Sequence, residues 1–63
     1  MNYTYGVEVW DEKRKLWRPH RFDCHSLEEV GEVIDLLNIA LPGSEFRPAQ
    51  YTIEEYQYIR SFS

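Results

Sequence analysis

The chain has one cysteine, Cys24, so no disulfide can close within it. A lone thiol reads as a protein of a reducing compartment. Long apolar runs are missing as well. The richest stretch, residues 33–41, is broken by Asp35 and Asn38 and falls far short of a bilayer span. No basic stretch leads into an apolar run near the N-terminus, so there is no signal-peptide pattern and the expected location is the cytoplasm. Glycine is sparse and scattered (Gly6, Gly31, Gly43), which leaves no phosphate-cradling loop. Repeats, linkers and low-complexity segments are absent, and 63 residues make one domain, 1–63. A chain this short buries only about 60% of the surface its unfolded form exposes, so its stability margin is thin.

The charge is acidic overall, −4, which counts against nucleic acid as a general partner. Its distribution is uneven. Lys13, Arg14, Lys15, Arg18 and Arg21 share a segment without an acid, and Glu28, Glu29, Glu32 and Asp35 follow without a base among them. That pattern predicts a basic end and an acidic face.

Tyr3 to Trp10 alternates with Tyr3, Tyr5, Val7 and Val9 on one side, the signature of a strand. Asp11 to Lys15 is a charged turn and Leu16 to Cys24 the returning strand. A turn centred on Lys13 and Arg14 sets Trp10 opposite Trp17 and Tyr5 opposite Phe22. Pro19 removes a ladder donor and belongs at an edge or a bulge. Ser26-Leu27-Glu28-Glu29 is a capping box. Leu27, Val30, Ile34, Leu37 and Leu41 follow at helical spacing, widened by Val33 and Ala40, and Pro42-Gly43 ends the helix. Glu45 to Ile53 reads as a third strand. After it, Thr52-Ile53-Glu54-Glu55 is a second capping box, with Ile53, Tyr56, Ile59 and Phe62 on one helical face. Tyr56, Tyr58 and Ile59 instead suit a strand extension with Glu54-Glu55 as a bulge; of the two, the helix is favoured. The expected fold is α+β: an antiparallel sheet with one helix on one face, in the order β-β-α-β. The other face should be open to solvent or a partner.

His20, Cys24 and His25 are the only soft metal-ligand types. A structural zinc site uses four ligands, and on a strand His25 points away from the other two, so no metal site and no cofactor is expected. The same divergence separates Cys24 from a base. With no motif for chemistry, the expectation is a binding protein and not an enzyme. Ten aromatic residues exceed what one helix-on-sheet layer can hide. Trp, Tyr and Arg dominate interface hot spots, so the candidate partner-binding set is Trp10, Arg14, Trp17, Arg18, Arg21, Tyr56 and Tyr58. Glu28, Glu29, Glu32 and Asp35 form a candidate acidic surface.

A hairpin, a capped acidic helix starting at Ser26-Leu27-Glu28-Glu29 and a returning strand after Pro42-Gly43 together resemble the small bacteriophage proteins that bind and disable one host protein. The likeness to phage inhibitors of bacterial RNA polymerase lies in the order of elements; only Arg47 loosely matches the arginines of their last strand. The resemblance implies inhibition of a host protein, such as a nucleic-acid-processing complex of transcription, repair or anti-phage defence. No membrane role is implied, and homodimerisation is left open. The alternatives from other classes are a self-assembling structural protein and a single-stranded nucleic-acid-binding module.

Overall fold

The structure, a computed structural model, describes residues 3–62. Its elements are β1 (Tyr3–Asp11), β2 (Leu16–Cys24), α1 (Leu27–Ala40), β3 (Phe46–Thr52) and α2 (Ile53–Arg60). The strands form one antiparallel sheet in the order β2-β1-β3, which makes the chain a small α+β domain with its most regular strand in the centre.

The hairpin is organised by Asp11. Its Oδ1 accepts from the backbone N–H groups of Lys13 and Arg14, both at 3.1 Å, and the Lys15 N–H donates to its carbonyl at 2.8 Å. Lys15 closes the turn with φ 57°, a left-handed conformation that costs a non-glycine residue about 1 kcal/mol. Trp10 lies opposite Trp17, as the turn position requires. Further along, β2 twice carries an extra residue: the pairing steps from Glu8–Pro19 to Val7–Arg21 and then to Tyr5–Cys24. Tyr5 therefore faces Cys24 and not Phe22. The bulges begin just after Pro19, where the ladder has no donor to hold its register. The Thr4 hydroxyl spans the irregular stretch, within 3.4 Å of the Phe22 carbonyl and 3.3 Å of the Cys24 carbonyl.

Helix α1 covers one face of the sheet. Val7, Cys24 and Val30 are buried between them, ringed by Tyr5, Val33, Ile34, Leu37 and Phe46. The Ser26 hydroxyl caps α1 by accepting the Glu29 N–H at 3.2 Å. Glu29 reaches back one residue further than a capping box requires, accepting the His25 N–H at 2.6 Å. The apolar stripe is shorter than its spacing predicts. Leu27, Ala40 and Leu41 are exposed, and the helix packs on the core through Val30, Val33, Ile34 and Leu37.

The opposite face is not open along its whole length. Alternation along β1 turns Thr4, Gly6, Glu8 and Trp10 to this side. Here α2 crosses the sheet and brings the Tyr56 ring to the Phe22 ring, edge to face at 5.5 Å. Tyr51, opposite Thr4, is only 7% exposed. The segment after Thr52 is helical because its capping box is complete. The Thr52 hydroxyl accepts from the Glu55 N–H at 3.1 Å and the Glu55 carboxylate accepts from the Thr52 N–H at 2.9 Å. Tyr56 and Ile59 are half-buried, whereas Ile53 and Phe62, expected on the same face, are exposed. No helix among the described residues is long and apolar enough to cross a membrane.

Two buried groups set the alkaline limit of this fold. Burial, followed by the nearby Glu29 charge, pushes the Cys24 thiol above its ordinary value of 9.0. Burial and the hydrogen bond to Glu8 push the Tyr51 phenol up as well. Both folded-state values lie above the unfolded ones, so the fold favours the protonated forms. Their stabilisation is complete below about pH 8 and declines as pH rises through the thiol and phenol ranges. The melting temperature should be flat from about pH 6 to 8 and fall above about pH 9. At about pH 8 a thiol reagent should label Cys24 at least 100-fold more slowly in buffer than in denaturant, because labelling waits for opening. Equal labelling rates would place the thiol at the surface.

Candidate functional site

The sequence-predicted binding residues separate into two groups. Trp10, Trp17 and Arg14 lie at the hairpin end. Arg18, Arg21, Tyr56 and Tyr58 gather around Phe22, where α2 meets β2.

At the hairpin end the tryptophan rings meet edge to face, 5.4 Å between centroids, and both are half-buried. The Trp10 indole N–H donates to Glu12 at 2.7 Å. Arg47 of β3 lies over the Trp17 ring at 4.4 Å and pairs with Glu8 at 2.8 Å. Glu8 in turn accepts the Tyr51 hydroxyl at 3.0 Å. Trp10, Trp17, Arg47, Glu8 and Tyr51 thus form a continuous ladder across all the strands, a cross-strand stabilising arrangement. The arginine that stacks on the tryptophan pair is Arg47 and not one of the hairpin arginines.

The hairpin bases are largely neutralised by acids of the same hairpin. Asp11 faces Arg14 at 3.9 Å and Arg18 at 3.5 Å, Lys15 pairs with Glu12, and Arg21 pairs with Asp23 at 3.2 Å. The backbone N–H of Arg14, with the Arg14 and Arg18 charges adding, holds the Asp11 carboxyl below its usual range. The Lys15 ammonium, then the Trp10 indole, does the same for Glu12. Exposed pairs of this kind contribute about 0–1 kcal/mol each. The basic end expected from the sequence is therefore a mixed-charge surface. On α1, Glu28, Glu32 and Asp35 are exposed, while Glu29 is drawn into the cap. His20 sits against Phe46 at 5.8 Å, and Cys24 is buried beneath α1.

The second group is the more accessible. Tyr58 and Phe62 are 68% and 75% exposed and meet edge to face at 5.0 Å. An open groove of about 300 Å³ runs beside them, lined by Arg18, Pro19, Phe22, Tyr58, Ile59 and Phe62. A second open groove of about 440 Å³ is lined by His20, Arg21, Phe22, Asp23, Tyr56 and Arg60. Phe22 belongs to both. Arg60 lies 6.0 Å from the Tyr56 ring centroid and donates to the Tyr56 hydroxyl at 3.4 Å. Phe22, Arg60 and Phe62 extend the predicted set. Their signal was the i,i+4 spacing of Tyr56–Arg60 and Tyr58–Phe62, which sets each pair together on a helix.

Aromatic residues and arginines, which this surface combines, are enriched at protein interfaces. No protein-family model, curated protein or solved structure matches the chain, so the site stands on its own geometry.

Proposed function

We propose that this chain is a non-catalytic binding protein that blocks a host protein in the cytoplasm, the mode of action its resemblance to small phage proteins implies. The contact surface is the junction of α2 and β2. The observation that carries this reading is the Tyr58–Phe62 pair, exposed and beside Phe22 and Arg18. Large rings left in water cost a small domain solubility without adding to its core, and they suit a desolvated anchor in a partner's pocket.

The other two readings have less support. Strand-to-strand assembly is opposed by Pro19 and Pro48, which put a residue without a donor in each edge strand, and by the bulges of β2. Binding of single-stranded nucleic acid is opposed by the net charge of −4 and by Asp11, Glu12 and Asp23, whose charges lie among the bases of the hairpin and would face a strand of phosphates.

The test is a tagged pull-down from bacterial lysate with the native chain and the Tyr58→Ala/Phe62→Ala variant, followed by titration of the captured protein. A single stoichiometric partner should be retained by the native chain. The variant should bind it at least ~100-fold more weakly, as expected when two hot-spot rings are removed. Both side chains are exposed, so its melting temperature should stay within about 2 °C of the native value. Full retention by the variant would move the contact elsewhere.

A further inference from the structure

We infer that the groove between β2 and the C-terminal half of α2 takes an acidic peptide segment, seating a large apolar side chain on Phe22 and Tyr56 with flanking carboxylates on Arg21 and Arg60. This rests on the binding reading above and names the chemistry of the partner. The groove holds about 440 Å³, room for one large side chain and the start of its neighbours, and lies open along its length. Its floor is the edge-to-face contact of Phe22 with Tyr56. Arg21 stands on the β2 wall and Arg60 on the α2 wall.

The two arginines differ in what they already hold. Arg21 has Asp23 at 3.2 Å, a pair in which both side chains are at least half exposed and so readily exchanged for another carboxylate. Arg60 has no carboxylate within 4.0 Å among the described residues; it rests on the Tyr56 ring and hydroxyl. Its guanidinium is thereby held beside the groove, with no carboxylate of the described residues paired to it. Arg18 adds a third cation in the adjoining groove, across Phe22. The lining of the larger groove carries Arg21 and Arg60 against Asp23, a local positive excess on a chain whose net charge is −4. Complementarity therefore favours an acidic ligand at this place.

Between acidic ligands, the small number of cations favours peptide over nucleic acid. Phe22 and Tyr56 are half-buried, and their edge-to-face contact takes up part of the ring surface that would stack on a base. Two or three arginines also fall short of the run of phosphate contacts that holds a nucleic-acid strand. A carboxylate on either side of one apolar anchor matches the groove in charge and in size.

The experiment uses the full isotope-labelled chain, titrated by NMR with three short synthetic peptides of one design. A central Phe is flanked by Asp and Glu in the first, Asn and Gln in the second, and Lys in the third. A thymidine oligonucleotide is the fourth ligand. The acidic peptide should shift the resonances of His20–Asp23 and Tyr56–Arg60 and bind at least about tenfold more tightly than the other ligands. Arg60→Glu, a change at an exposed position, should remove that advantage. Equal binding of the acidic and neutral peptides, with no effect of Arg60→Glu, overturns the inference and leaves the aromatic reading intact. Tighter binding of the oligonucleotide at the same resonances overturns it in favour of a nucleic-acid ligand. If no peptide shifts these resonances and the Tyr58→Ala/Phe62→Ala variant still holds the captured partner, both proposals fall.

Discussion

Gly6→Ala should prevent the chain from folding, with a loss on the order of 3 kcal/mol or more. The cause is not backbone conformation, since no glycine in the described chain has a positive φ. It is space. A Cβ at residue 6 would overlap the Arg21 carbonyl oxygen and lie 2.7 Å from the Phe22 Cα, and both are backbone atoms of the bulged strand. Neither can rotate away as a side-chain tip would. Relief requires re-registering β2, and a one-residue slip turns every following side chain to the other face. Cys24 would then leave the layer beneath α1, where, among the described residues, Val7 and Val30 share full burial with it. A chain this short has little stability to spend on such a change. Gly31→Ala is the control, because no atom lies within 4 Å of its Cβ position and the site is helical. That substitution should stabilise by about 0.5–1 kcal/mol. Urea unfolding of the two variants reads the contrast directly. A cooperative Gly6→Ala transition within about 1 kcal/mol of the native one would falsify the steric account.

The second large effect is expected at Tyr51. Tyr51→Ala should cost about 3–5 kcal/mol, the range for removing a buried aromatic ring, whereas Tyr51→Phe should cost about 1 kcal/mol. The ring is buried on the α2 face of the sheet, and its hydroxyl is one of two groups that hold Glu8. The Phe variant removes that hydrogen bond but leaves Arg47 on Glu8 at 2.8 Å, so no carboxylate is stranded. The Ala variant also opens a cavity between sheet and helix. The gap between the two losses therefore measures how far the α2 side is a packed second core. Similar losses for both would mean that the hydrogen bond, not the packing, is what that layer supplies.

Much of this arrangement is legible in the sequence, and the parts that are not share a cause. Strand β1 announces itself by alternation, α1 by Ser26 and its apolar spacing, and the Trp10–Trp17 pairing by the charged turn between them. These are local signals. The Tyr5–Cys24 pairing is not local, since each extra residue in β2 moves the register by one, and a bulge leaves little compositional trace beyond Pro19. The Glu8–Arg47 pair lies 39 residues apart in the chain, so it appears only once β3 is registered against β1. The second capping box at Thr52 favours the helix, with aromatic β-propensity as the competing signal, and the helix is what forms, with Tyr56 against Phe22. For the same reason the grouping of the candidate residues is only partly legible. Arg18, Arg21, Tyr56 and Tyr58 lie together around Phe22, whereas the fold places Trp10 and Trp17 apart from them.

Helix α2 has no buried residue; it is held by the half-buried Tyr56 and Ile59 and by its cap. An element anchored so lightly opens at a small fraction of the global unfolding free energy, and its amide protons exchange with solvent accordingly. The rings proposed for partner contact are carried on and just after this lightly anchored helix. A partner closing over them raises the local opening free energy by mass action, in proportion to the logarithm of its concentration over the dissociation constant. Binding and local order are then one equilibrium, and the slowing of hydrogen exchange in the last turns of the chain measures occupancy without any label on the partner.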